Sequence, residues 1–495
     1  MTYARSCLRT LMLAASFACS AGAQLIPVRV VPIAQADQFG IFPSVNFGMA
    51  NVSIAMADSL LDPFDNPALG SRVRRAVYFG APTFFAVTNE AGSGQTYPLG
   101  LLARKGRLFF GGTLAVQEIN PARPRSEPFF PPIGVLTSSS FAPVSLNAEP
   151  NQTEKNVYGQ AMAGYTLPGR VTVAVSGLQS NLRAMEGMEL LFTGSHNVRQ
   201  RGSNSELRLG LLREWGQRSL EVVALDRRLD MSYVAGYAEQ YWDPATRQPR
   251  TQTRDVRTAM DSRTTGVHVE YDMPVRDSTW RAGAVFTVNH ISESKAPYYE
   301  FMGIPLDPSR TRAFNLGVGL SRRRGPVTMA LDAVLEPIWR RSTGPVDTTS
   351  LAIHAPGTNV EDSYFKFRNV VLRGGVARDI VVSGSDNRLR LQFGAQMRNV
   401  NYALEQHDRL NGVYRERTNS WREWTHAWGT NLIFPRFEFG YQLRLLSGMG
   451  RLGVPPEHEN VFVDPFFPGP SRVQSITLYP VRVASHQMFF RAPIR

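Results

Sequence analysis

Arg208, Arg281, Arg390, Arg398 and Arg444 fall on the polar side of segments that alternate apolar and polar residues. A guanidinium there can grip a carboxylate through two parallel N–H donors. Two uses fit the five. They can hold the carboxylate headgroup of a bound molecule, or they can form a structural charge ladder with Glu206, Glu270, Asp272, Asp332 and Glu438. Nucleophilic chemistry has less support. Ser195-His196-Asn197 is the nearest approach to a nucleophile–base pair, but adjacent residues of an extended chain point to opposite faces and no supporting motif follows. The 8 histidines, His268 and His290 among them, show no metal-ligand spacing, and there is no G-x-x-x-x-G-K phosphate loop. No enzyme, metal or cofactor is expected.

The elements that carry these arginines read as strands. Val267, Val269, Tyr271 and Met273 share one face, with His268, Glu270 and Asp272 on the other. Trp280 to Val288, Phe314 to Leu320, Leu389 to Met397 and Phe437 to Leu445 repeat the pattern. These runs are of the order of 9–13 residues, the length a tilted transmembrane strand needs and longer than a typical globular strand. Short turns alternate with long polar links. The turns are at Lys105-Gly106, Leu167 to Arg170, Trp215 to Arg218, Pro274 to Asp277, Arg322 to Pro326 and Phe434 to Arg436. The links cover 119–155, 180–204, 228–262, 293–311, 340–363, 403–419 and 449–471. Outer-membrane barrels have this asymmetry, with short periplasmic turns and long external loops. The expected fold is all-β, a transmembrane antiparallel β-barrel of about 14 to 16 strands with an N-terminal plug, or hatch. Aromatics near strand ends (Tyr97, Trp215, Trp280, Trp339, Trp421, Trp424, Trp428, Phe434) suit interfacial girdles. A last strand from Ser475 to Phe490 contains an awkward Pro480.

The start of the chain reads as a Sec leader. Arg5 and Arg9 precede the short apolar run Leu11 to Ala18, and Ala21-Gly22-Ala23 supplies a cleavage pattern. Acylation at Cys19 is the alternative. Both cysteines, Cys7 and Cys19, lie in this leader, so disulfides do not hold the mature chain together. The expected division is 1–23 signal peptide, 24–76 hatch and 77–495 barrel. The net charge is +13 and the mean hydropathy −0.20. In an exported chain that charge points away from nucleic acid and toward anionic lipopolysaccharide, anionic solutes or a solvated surface.

Residues 40–70 read GIFPSVNFGMANVSIAMADSLLDPFDNPALG. Asp58 and Asn66 can organise turns, Pro67 fixes φ and drives Asn66 extended, and Ala55, Ala57 and Ala68 permit close packing. Met49, Val52, Met56 and Leu60 would share one face of a short helix between Met49 and Leu61. Ala55-x-Ala57-Asp58, then seven residues, then Asn66-Pro67-Ala68-Leu69, resembles the N-terminal hatch of the FadL-type (long-chain fatty acid transporter) family. The resemblance covers about 30 residues. It implies a monomeric barrel of fourteen strands, inserted by the barrel-assembly machinery and stoppered by its hatch. The location would be the outer membrane of a Gram-negative bacterium, among outer-membrane lipids and lipopolysaccharide. It also implies passive uptake of hydrophobic compounds such as long-chain fatty acids or aromatic hydrocarbons, released through the barrel wall. The chain departs from the family's terminal aromatic; Phe490 would supply the assembly signal, with five residues trailing.

Substrate contacts are expected in two places. Phe129, Phe130 and Phe141 lie in the Pro- and Phe-rich stretch Pro121 to Pro143, and exposed apolar patches bind partners. Arg390, Arg398 and Arg444 are the lumen candidates. The alternatives are a general or anion-selective porin and a structural or secretion-associated barrel.

Overall fold

A computed structural model describes residues 25–26, 28, 38, 41–88, 92–121, 153–192, 195–243, 245–246, 248–275, 277, 279–295, 308–345, 358–381, 386–409, 412–452 and 478–494. Its strands form one antiparallel sheet that closes on itself. β1 (Val77–Gly80) and β2 (Thr83–Val87) each pair with both β3 (Ser93–Lys105) and β17 (Leu478–Pro493). The register runs straight across Ala81-Pro82: Gly80 faces Phe490 and Leu99, and Thr83 faces Gln487 and Thr96. β1 and β2 are therefore one strand, interrupted where proline has no N–H to give the ladder. The barrel has 16 strands. This is the upper end of the expected range, and it departs from the fourteen that the resemblance implies.

The remaining strands follow in order around the wall. They are β4 (Leu108–Asn120), β5 (Glu154–Leu167), β6 (Val171–Leu182), β7 (Asn197–Trp215), β8 (Arg218–Asp243), β9 (Gln248–Pro274), β10 (Trp280–Lys295) and β11 (Ser309–Arg324), then β12 (Val327–Pro345), β13 (Asn359–Val381), β14 (Arg388–Asp408), β15 (Val413–Ile433) and β16 (Glu438–Leu452). Closure gives every strand a hydrogen-bonded neighbour on both sides, as a bilayer requires. Four of the short turns place glycine at positive φ, Gly106 and Gly216 at 62° among them. β17 begins at Leu478 and carries Pro480 opposite Gly450, beyond a register shift between Ser447 and Met449.

Polarity is inverted relative to a water-soluble protein. Leu114 is 71% exposed on the outer face while its neighbour Thr113 is 3% exposed on the inner one. Leu99, Leu209, Val318, Leu331 and Phe393 continue the apolar exterior. Moving one such side chain from water to hydrocarbon is worth about 1.5–3 kcal/mol, so this wall belongs in a bilayer, as an outer-membrane barrel does. Tyr97, Trp215, Trp339, Trp424 and Trp428 are outward, as a girdle needs. Trp421 is not: it pairs with Val400, a buried inward residue, and stacks edge-on against Tyr402.

Two of the expected polar links are strands instead. Residues 228–262 lie in β8 and β9, which are 26 and 27 residues long, and 403–419 lie in β14 and β15. Outside the bilayer the outer face meets water while the inner face still packs in the lumen, where Leu229, Met231, Tyr233 and Leu404 are buried, so the outward apolar row fades while the hydrogen-bond ladder continues. Tyr237 still pairs with Arg254, and His407 with Tyr414.

The helix expected between Met49 and Leu61 does not form. A 3-10 turn covers Phe47–Met49, and Ala50, Asn51 and Ala55 sit at φ 57°, 55° and 61°. The regular helix is α1 (Asp62–Asp65), followed by a 3-10 turn at Pro67–Arg72. The reason is competition for N–H groups. Gly48 donates to Gln442 Oε1 (2.7 Å), and Ser53 and Ile54 donate to Asp332 Oδ2 (2.9 and 3.3 Å). The barrel wall takes the donors an α-helix would have used.

Candidate functional site

The segment 44–72 circles the inside of the barrel once. Ser44 meets Gln487 on β17, and Gly48 meets Gln442 on β16. Gln392 on β14 donates to the Val45 carbonyl at 2.9 Å, Asp332 on β12 accepts from Ser53 and Ile54, and Ser321 on β11 donates to the Ala55 carbonyl at 2.6 Å. Arg208 on β7 donates to the carbonyls of Phe64 and Asp65 (3.1 and 2.9 Å), and Arg104 on β3 reaches the Ser71 carbonyl. The wall contacts at Gly429, Asp332, Ser321 and Glu221 lie within a few residues of the short turns, so the ring occupies that end of the bore.

Glycines make the close fit possible. A Cβ on Gly48 would stand 2.7 Å from the Gly429 Cα, and one on Gly375 would stand 2.7 Å from the Met49 Cβ. Gly394 faces Met49 and Ala50, Gly283 and Gly319 face Ile54 and Ala55, and Gly210 faces Asn66 to Ala68. The polar-face glycines of the strands are thus the seat on which the hatch backbone rests.

Asp58 ties the ring together. Its Oδ2 accepts from Ser44 Oγ (2.6 Å) and the Asn46 N–H (3.1 Å), and its Oδ1 accepts from the Leu60 and Leu61 N–H groups (3.0 Å each). Its own N–H goes to Asp62 Oδ2 at 2.8 Å. Asn66 caps the following 3-10 turn, accepting from the Ala68 N–H at 3.1 Å, and donates to Glu221 Oε2 at 3.0 Å. Ala55, Pro67, Ala68 and Leu69 are buried, whereas Ala57 is exposed, with its carbonyl 3.4 Å from Asn46 Nδ2. Burial pushes the Asp62 carboxyl well above the ordinary range, aided by Asp58 and Glu221. Burial also raises Asp65, against the opposing pull of Arg208.

Beneath the ring, Leu60 and Phe64 pack on Phe79, Leu102 and Phe489 of the wall. Phe42 stacks on Phe64 at 4.6 Å. Farther from the short turns the lumen is lined by a larger apolar cluster that includes Phe85, Ile119, Tyr158, Val198, Tyr233, Ile338, Phe365, Phe367, Val400 and Val483, with Ile26 of the N-terminal stretch packed into it. Phe365, Phe367, Tyr402 and Trp421 form a continuous aromatic group there.

The link between β6 and β7 folds inward over this chamber, with Ala184, Glu186, Met188 and Phe192 buried. Asn156 accepts from the Arg183 and Ala184 N–H groups (2.7 and 3.1 Å). Gln38 of the N-terminal stretch donates to the Ala184 carbonyl and accepts from the Glu186 N–H, both at 2.8 Å, while its own carbonyl accepts from Gln117 at 2.9 Å. Sequence reasoning missed this clasp, since isolated amides in polar segments carry no spacing signal.

The arginines are largely engaged. Arg208 contacts Glu206 (2.5 Å) and Asp65 (3.2 Å), Arg281 contacts Asp272 (3.0 Å), Arg390 contacts Asp379 (2.6 Å) and Arg398 contacts Glu336 (2.7 Å). Arg444 lies 4.8 Å over the Phe47 ring of the hatch. Phe129, Phe130 and Phe141 lie outside the described residues, as does the leader 1–23.

No protein-family model and no curated protein matches the chain. Solved structures similar to it include a bacterial polysaccharide outer-membrane secretin (7% identity, TM-score 0.38, 85% of this chain and 99% of that one). CdiB from Escherichia coli (9%, 0.38, 83% and 62%) and the FrpB iron transporter from Neisseria meningitidis (8%, 0.31, 86% and 83%) are others. At such TM-scores they carry nothing about cargo or mechanism to this chain, and the barrel rests on its own strand pairing.

Proposed function

We propose that this chain is an outer-membrane channel for passive uptake of hydrophobic compounds, stoppered by residues 44–72 and carrying its cargo through the apolar chamber beyond the stopper. The observation that supports this most directly is the inverted lining of the bore. Phe365, Phe367, Val400 and Ile338 point inward in a region where a water-filled pore would place polar groups. Long-chain fatty acids and aromatic hydrocarbons both suit such a lining, and the hatch motif's resemblance to the FadL-type family favours the same cargo class. Under this reading Arg398 is the candidate for a cargo carboxylate, taken in exchange for Glu336, while Arg390 and Arg444 hold the wall and hatch. Uptake of a labelled long-chain fatty acid and of an aromatic hydrocarbon, by cells lacking the protein and by the same cells with it restored, tests the proposal. Equal uptake with and without the protein, for both compounds, rejects it.

A second reading is supported by a separate observation. The inward-folded link between β6 and β7 narrows the bore as a porin's constriction loop does, which suits a porin or a secretion-associated barrel. Liposome swelling with sugars separates the two, since a porin admits them and a stoppered apolar channel does not.

A further inference from the structure

The five exposed or half-exposed arginines Arg213, Arg218, Arg322, Arg324 and Arg378 share one end of the barrel and one face. All sit at the short-turn ends of their strands, on the lipid-facing parity. Arg213 pairs with outward Val171, Arg218 with Trp215, Arg322 with Trp280, and Arg324 and Arg378 both with Val327. They stand where the apolar belt stops, next in parity to Leu211, Leu320 and Val376. Two lie over girdle rings: the Arg213 guanidinium is 5.6 Å from the Trp215 ring and that of Arg322 is 4.9 Å from the Trp280 ring.

Among the described residues none of the five is in a salt bridge. The acids near them are taken by inward arginines: Glu214 by Arg72 at 2.9 Å, Asp379 by Arg390 at 2.6 Å and Asp272 by Arg281 at 3.0 Å. Asp277 and Asp386 remain exposed at this end, too few to neutralise the row. At the other end Arg199–Asp255, Arg250–Asp243 and Arg409–Asp362 are ion pairs.

We infer that this row of arginines binds the phosphate groups of anionic glycerophospholipids in the leaflet at the short-turn side. Guanidinium groups chelate phosphate oxygens through paired donors, and their depth beside the tryptophans is that of headgroups. The lipid-facing parity favours a lipid over an acidic protein, which would meet residues of the turns themselves. Lipid A offers the same phosphate chemistry from the opposite leaflet. The inference does not depend on the cargo.

Native mass spectrometry of the full chain in detergent, given equal amounts of phosphatidylglycerol, phosphatidylcholine and lipid A, tests it. Phosphatidylglycerol should be retained over phosphatidylcholine by roughly tenfold. The preference should vanish in Arg213→Gln/Arg322→Gln/Arg324→Gln/Arg378→Gln and survive in Arg250→Gln/Arg409→Gln at the far end. Heat-modifiable migration checks that each variant is folded; if the fourfold variant is not, Arg322→Gln/Arg378→Gln is read instead. Equal retention of the two phospholipids, a preference that outlasts the short-turn substitutions, or lipid A held at these arginines in place of phosphatidylglycerol overturns the inference.

Discussion

Ser44 Oγ donates to Asp58 Oδ2 at 2.6 Å, and this contact helps close residues 44–58 into a loop inside the barrel. Four donors converge on the Asp58 carboxylate, two from each side of the loop. Removing the acceptor strands buried N–H groups at about 1–3 kcal/mol each. Asp58→Ala should therefore unseat the hatch while leaving the wall intact. Heat-modifiable migration should be unchanged, and protease added at the short-turn side should cut within 44–72 far faster than in the unaltered protein. Unchanged protection would mean the wall alone holds the hatch.

The seat makes a complementary prediction. Gly394 lies against the backbone of Met49 and Ala50, and Gly429 against that of Gly48. Any larger side chain there pushes on main chain, which cannot swing aside as a side chain can. Gly394→Val should cost about 1–3 kcal/mol of hatch docking by overpacking and raise ion conductance in a planar bilayer. Leu114→Val, on the lipid face of the wall, should leave conductance as it was.

How far the sequence could be read depended on which physical signal each region carries. Strands within the bilayer, such as Phe437 to Leu445, face two different media, so their alternation and even their inward side are visible residue by residue. Residues 228–262 meet water on the outer face while Leu229, Met231, Tyr233 and Ala235 are buried inward, so the outward apolar signal is lost although the pairing continues. The hatch motif was legible because Asp58 and Asn66 act locally on neighbouring N–H groups. Its partners were not, because Gln442, Asp332 and Glu221 are brought to it only by the curvature of the wall. The glycines at 283, 319 and 394 were visible as gaps in the polar face, but a missing side chain does not say what fills its place.

Asp62 gives the hatch a pH dependence of definite sign. Seating raises its carboxyl above the free value, through burial first and then the neighbouring Asp58 and Glu221, with Arg72 opposing; Asp65 shifts the same way. A group whose seated value is raised contributes most below its free value and loses that contribution as pH rises through the seated value. The hatch should thus be held more firmly in acid, and conductance should climb as pH rises from the free carboxyl value through the raised seated one. Asp62→Asn keeps an acceptor for the Asp58 N–H and should flatten part of that slope, with Asp62→Asn/Asp65→Asn flattening more. A slope of opposite sign, or one indifferent to both substitutions, would contradict the assignment.

Gln38 joins two elements that otherwise have no covalent reason to move together. Its side chain holds both Ala184 and Glu186 of the inward-folded link, and its carbonyl is held by Gln117 of β4. Gln38→Ala removes these contacts to the link and leaves the carbonyl in place, while the link keeps its hold on Asn156 and Gln200. Loss of two buried bonds of this kind is worth about 1–3 kcal/mol, enough to change how often the link lifts but not to unfold a 16-stranded wall. Hydrogen exchange should therefore rise at the amides of 183–189 in the variant, while amides of β12 to β14 keep their protection. Exchange that rises in Gln38→Ala at the hatch residues 53 and 54 as well would show that the link and the ring are mechanically joined through the N-terminal stretch; exchange confined to the link would show that the two move separately.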